Sequence, residues 1–184
     1  NGTQWGDVLI LPKPLGVGVT LNALRMDACS KEMQERVFKS MTTLNKYACD
    51  VLKKYDVHAL TDVTGFGLLV HLNEMLDEKN SAVIYKDSIP YFDDCQKYVE
   101  EFYLSGAAQT NRNSVEGKIS FDCDFFTEEI LFDPQTSGGL LASVSKADLE
   151  MLEKDFKENN LELYVVGEVI EKNEYNVYVR GRKI

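Results

Sequence analysis

The sequence predicts an α+β domain with a mixed β-sheet, and three observations carry that expectation. Segments of helical periodicity alternate with short apolar runs of strand length. Some of those runs are separated by short turns and others by helices, so parallel and antiparallel neighbours are both expected. The chain has 184 residues, enough for one full-sized core, and carries no internal repeat.

Asp7 to Leu11 (DVLIL) reads as an apolar strand, and Gly16 and Gly18 after the Pro-Lys-Pro turn lead into a second extended piece. From Lys31 to Tyr55 the residues Met33, Val37, Met41, Leu44, Ala48 and Leu52 recur every three or four positions. That period predicts one long amphipathic helix. A short buried strand from Tyr55 ends at Thr61-Asp62, and after the turn TDVTGFG a helix runs from Leu68 to Glu78. Ser81 to Tyr85 is a strand. Asp93 to Tyr103 is a second amphipathic helix with Cys95, Tyr98, Val99 and Phe102 on one face.

Ser105 to Lys118 is polar and without period, which reads as a long loop. EEILF (Glu128 to Phe132) and LLASV (Leu140 to Val144) read as strands around the turn DPQTSGG, and Ala147 to Asn159 as a helix. Glu162–Glu171 and Glu174–Arg180 read as a closing hairpin turning at Lys172-Asn173.

Composition narrows the function. The 44% hydrophobic and 27% charged residues are those of an ordinary globular domain. No apolar run approaches the about 18 residues that span a membrane, and no basic segment precedes the first apolar stretch, so neither anchor nor signal peptide is expected. The first residue is not Met, which fits an excised or processed piece. A net charge of −10 argues against nucleic acid. The basic tail Arg180, Arg182 and Lys183 reads as a solvated terminus. Cys29, Cys49, Cys95 and Cys123 have no zinc-finger spacing, so they read as reduced structural thiols of a cytoplasmic protein.

Two clusters could carry chemistry. In TDVTGFG, Asp62 precedes Gly65 and Gly67 at the mouth of a helix. A carboxylate is the hard oxygen ligand that magnesium takes beside phosphates, and glycines let backbone amides approach an anion. Equally, Asp62 or Thr64 could serve only as a helix cap. In DPQTSGG, the residues Thr136, Ser137, Gly138 and Gly139 offer hydroxyls and amides in a turn, readable as an anion cradle or as an Asx-capped β-turn. GxxxxGK[ST], GxGxxG after a strand, and GxSxG are all missing, and His58 and His71 read as packed side chains. The residues describe half of an active site.

TDVTGFGLL followed by LFDPQTSGGLL, together with GDVLIL-KPLG, MTTLN, TNRN and VGEV, closely resembles the C-terminal domain of the selenophosphate synthetases (selenide, water dikinases). These belong to the aminoimidazole ribonucleotide synthetase-like superfamily. The resemblance runs from about Gly6 to Val169. It implies a three-layer α/β/α domain, distantly ferredoxin-like, that fills residues 1–184 as a single unit. It further implies a reaction of ATP, selenide and water to selenophosphate, AMP and phosphate, with magnesium. The ATP site, a catalytic Cys or selenocysteine, a working Lys and several Asp residues would lie on an N-terminal domain absent from this chain, in a homodimer. By the same resemblance Asp62 is the metal carboxylate, presented by the turn of Thr61, Thr64, Gly65 and Gly67. Thr136, Ser137, Gly138 and Gly139 match a second loop. The chain departs from the family pattern at Val70, where Gly is common, and at Ala107-Ala108-Gln109 before TNRN, so no role is assigned to Arg112.

Overall fold

The computed structural model describes residues 2–182. Strand β1 (Val8–Leu11) is buried along its whole length. The piece expected to continue extended is instead helix α1 (Val17–Arg25). Its β-branched Val17, Val19 and Thr20 suggest a strand, but its first amides are capped from 119 and 115 positions away. Gln135 Oε1 accepts from Gly16 N at 3.1 Å and Val17 N at 3.2 Å, and Asp133 Oδ2 accepts from Gly18 N at 2.8 Å. Such distant capping leaves no local signal and overrides a weak propensity.

The long helix expected over residues 31–55 is two, α2 (Lys31–Thr42) and α3 (Asn45–Leu52). At the break Thr43 is extended, and its carbonyl accepts from Lys13 Nζ at 2.8 Å. Leu44, part of the apolar period, is consequently exposed. β2 (Val57–Asp62), α4 (Gly67–Met75) and β3 (Asn80–Tyr85) lie where the pattern placed them. α5 is shorter than expected, Cys95–Glu100, because Phe102 turns left-handed at φ 62 and leaves the buried face of Cys95, Tyr98 and Val99.

The stretch that reads as a loop contains α6 (Gly106–Ser114). Ser105 caps it by accepting from Ala107 N, Asn111 Nδ2 donates to Gly65 O and Phe132 O, and Arg112 pairs with Glu128 and Glu129. A helix seated by polar side chains leaves little hydrophobic period to read. After β4 (Ile119–Phe121) comes α7 (Phe125–Phe132), so EEILF is helix and not strand. The Asp124 side chain starts it, accepting from Thr127 N at 2.8 Å. β5 (Leu140–Val144), α8 (Leu149–Glu158), β6 (Tyr164–Glu171) and β7 (Val177–Arg180) follow.

Among the described residues the seven strands form one mixed sheet in the order β2-β5-β1-β6-β3-β7-β4. The two pairings of β7, with β3 and with β4, are parallel, and the other strand pairings are antiparallel. The expected closing hairpin does not form, because β3 lies between β6 and β7, with Ala82 opposite both Val169 and Val177. Asn173 N donates to Ser81 Oγ at 3.0 Å as the chain passes over β3.

Alternation along β1 splits the core. Leu9 and Leu11 face a large cluster with α1, α2 and α4 to α7, while Val8 and Ile10 face a smaller one with α3 and α8. This is the helix–sheet–helix layering expected. The apolar contacts of the smaller layer reach β2, β5, β1 and Val165 of β6. Arg180 and Arg182 are not simply solvated: they lie 5.7 Å over the Tyr178 ring and 5.2 Å over the Tyr85 ring, while Lys183 lies outside the described residues. The four cysteines are free thiols, and burial pushes Cys95 up to about 12.

Candidate functional site at the edge of the sheet

β2 is the edge strand beside β5, and its antiparallel register sets Asp62 opposite Leu140. The loop leaving β2 and the loop entering β5 therefore meet at one corner of the sheet. Val63 N donates to Gly139 O at 2.8 Å, and Gln135 N donates to Thr64 O at 3.0 Å. Gly138 permits this approach: a Cβ there would stand 2.2 Å from Val63 O. The two sequence-predicted clusters are thus one site.

Asp62 is exposed at the end of β2. Its partner Leu140 belongs to the smaller cluster, so Asp62 and Leu60 project toward the α3 side and Thr61 toward the α4 side. Thr61 lines a cleft of about 230 Å³ with Leu60 and His71. No side chain caps α4, so neither Asp62 nor Thr64 is there to start the helix. The Thr64 hydroxyl lies 3.1 Å from His71 Nε2. Gly65 is exposed, whereas Gly67 is buried at φ 74, where a Cβ would stand 2.8 Å from the Phe132 carbonyl. Gly67 lets α4 approach the end of α7.

In the second loop Thr136 and Ser137 are exposed and Gly138 and Gly139 buried, with Ser137 left-handed at φ 54. Three consecutive carbonyls are each taken by a donor from another element. Ser137 O accepts from Lys13 Nζ at 3.1 Å, Gly138 O from Asn45 Nδ2 at 2.9 Å, and Gly139 O from Val63 N. The loop's acidic end is not an Asx cap of its own turn, since Asp133 and Gln135 instead cap α1. Burial pushes Asp133 up to about 7, against the opposing pull of the Gly18 amide and Gln135. Lys13, Asn45, Asp133 and Gln135 escape residue-by-residue reading. Their signal lies in the whole motifs KPLG, MTTLN and DPQTSGG.

Among the described residues no group of three or more His, Cys, Asp and Glu is placed to hold a metal. Nor is any helix long and apolar enough to cross a membrane. A cleft of about 460 Å³ lined by Thr43, Tyr47, Asp50 and Asn160 does not include Asp62. Chemically the corner offers one free carboxylate, threonine and serine hydroxyls, and loop backbone. One carboxylate beside hydroxyls and loop backbone is chemistry suited to part of a cation–phosphate site.

The sequence matches the AIR synthase related protein, C-terminal domain, over residues 4–180. The chain belongs to this family. This AIR synthase related C-terminal domain is 42% identical over 181 residues to the selenide, water dikinase of Agathobacter rectalis, covering 97% of this chain and 53% of that protein. The selenide, water dikinase of Desulfitobacterium hafniense (strain DSM 10664 / DCB-2) is 39% identical over 178 residues, 96% of this chain and 52% of that protein. The domain spans about half the length of the curated relatives it matches. Solved structures share the fold at low identity. Thiamine-monophosphate kinase from Stenotrophomonas maltophilia K279a superposes with a TM-score of 0.67 at 17% identity, over 100% of this chain and 53% of that one. The E. coli hydrogenase maturation protein HypE gives 0.65 at 17%, over 96% and 46%.

Proposed function

We propose that this chain is the C-terminal half of a selenide, water dikinase, which converts ATP, selenide and water into selenophosphate, AMP and phosphate. The observation that carries the reading is the exposed Asp62, at the corner where TDVTGFG and DPQTSGG meet. That corner lies in a chain 42% identical to a selenide, water dikinase. In this reading Asp62 gives one carboxylate to a magnesium ion on the ATP phosphates, and Thr61, Thr64, Gly65 and Gly67 form the turn that presents it. Thr136, Ser137, Gly138 and Gly139 form the second wall. The donor set fits that ion, because magnesium keeps several waters and is held by one or two carboxylates plus substrate phosphates. Bound magnesium would neutralise phosphate charge, and this chain's task is to place the carboxylate.

The remaining machinery, with the ATP site and a nucleophilic Cys or selenocysteine, belongs in this reading to the protein's own N-terminal domain, in a cytoplasmic homodimer. The test is selenide-dependent AMP release by the full-length protein, wild type against Asp62→Asn. Loss of a metal carboxylate is expected to lower the rate by at least about 100-fold, since the developing phosphate charge goes uncompensated. Near-normal rates would remove Asp62 from the site. An inactive wild type would point to a non-catalytic paralogue acting as a binding subunit.

A further inference from the structure

We infer that Lys13 is a positioning residue of this corner, its buried ammonium holding the 136–139 loop in register with Asp62. The inference deepens the dikinase reading and rests on it for its catalytic consequence. Lys13 is 8% exposed, and among the described residues no carboxylate pairs with it. Its ammonium donates to Thr43 O and Ser137 O, so one charge ties the β1–α1 turn, the α2–α3 corner and the loop before β5. A buried charge answered only by carbonyl dipoles is costly, and an apolar side chain would serve packing better.

What the ammonium supplies is geometry. It fixes Ser137 O, Asn45 fixes the next carbonyl, and Val63, the residue after Asp62, fixes the third. Gly139 lies against the Lys13 stem, with a Cβ there only 3.0 Å from Lys13 Cβ. Desolvation also draws the lysine below its usual range. Asn45 Oδ1 is buried without a partner in the same knot of loops, so an acceptor there already lacks a donor before the lysine is removed.

Two readouts test this. In this chain, hydrogen exchange is followed at the Gly138 and Val63 amides, whose acceptors are Gln135 O and Gly139 O. Lys13→Met is expected to speed both by about tenfold, the size carried by a hydrogen bond to a charged group, with β3 and β6 unchanged. In Lys13→Ala, added propylammonium is expected to slow them again by refilling the vacated channel. Should the alanine variant fail to fold, Lys13→Met, of similar length, decides alone. Wild-type exchange in a folded Lys13→Met would overturn the inference whatever the activity.

In the full-length protein Lys13→Met is expected to lower selenide-dependent AMP release about 10- to 100-fold, as loss of a supporting residue does. A rate within about twofold of wild type, while Asp62→Asn collapses, would overturn the positioning role and leave the dikinase reading standing. An inactive wild type would instead sink the dikinase reading, with the exchange measurement still deciding the hold of Lys13 on the loop.

Discussion

Asp62 and Gly138 are neighbours across one loop contact, yet substitution should separate chemistry from stability there. Asp62 is exposed and caps nothing. Asp62→Asn should therefore change stability by no more than about 0.5 kcal/mol while AMP release falls, as thermal melting beside the activity assay will reveal. Gly138 is the opposite case. A methyl group 2.2 Å from Val63 O cannot be accommodated without moving backbone. Gly138→Ala should cost about 1–3 kcal/mol, a fall in Tm of at least about 2 °C for a domain of this size. An unchanged melting curve would mean the two loops are less tightly apposed. The acid and the glycine turns were legible as residues, but the function of each glycine was not: Gly65 stays open, whereas Gly67 and Gly138 admit backbone from α7 and from the loop leaving β2.

Between elements, His58 of β2 bonds both oxygens of Asp7, at 2.8 and 2.9 Å, and Asp56 at 3.1 Å. Ser143 of β5 donates to the same Asp7 at 2.5 Å. Burial by itself lowers His58, but hydrogen bonds and charge from Asp7, then Asp56, outweigh it and hold the imidazole above its ordinary range. A folded-state value above the unfolded one, about 6.5, gives a contribution fully present below that pH and lost as pH rises through the folded value. The Tm advantage of wild type over His58→Gln should shrink as pH is raised from about 6 to 9; a constant difference would mean the imidazole is not charged in the folded state. Neither this pairing nor every element type was legible in the sequence. α1 begins on caps from Gln135 and Asp133, so its start left no cap signal in its own stretch, and α6 is seated by Asn111 and Arg112, so it left little apolar period.

At the scale of the molecule, the sheet order brings β2 and β5 together at one edge, with the two motif loops at the same end. The motifs are separated by residues 68–132, a stretch that includes β3 and β4, both on the far side of the sheet. Among the described residues Asp62 has no metal-binding group around it, and one carboxylate by itself does not hold magnesium tightly. This chain alone is therefore expected to release no AMP from ATP and selenide, and to give no resolvable heat with Mg-ATP in calorimetry. Turnover by the isolated chain would overturn the proposed division of the active site between two domains.

The sequence by itself determined the α+β class, the positions of β1 to β3 and β5, the free thiols, and the two motifs with Asp62 between strand and glycine turn. Each of these rests on local chemistry: alternation, apolar period, turn residues, a carboxylate at a strand end. Only the tertiary structure decided that residues 17–25 are helical, that β3 separates β6 from β7, and that Lys13, Asn45 and Val63 each take one carbonyl of the second loop. Those features depend on hydrogen-bond partners far away in the chain, and a partner that distant leaves no period, composition or spacing in the segment it holds.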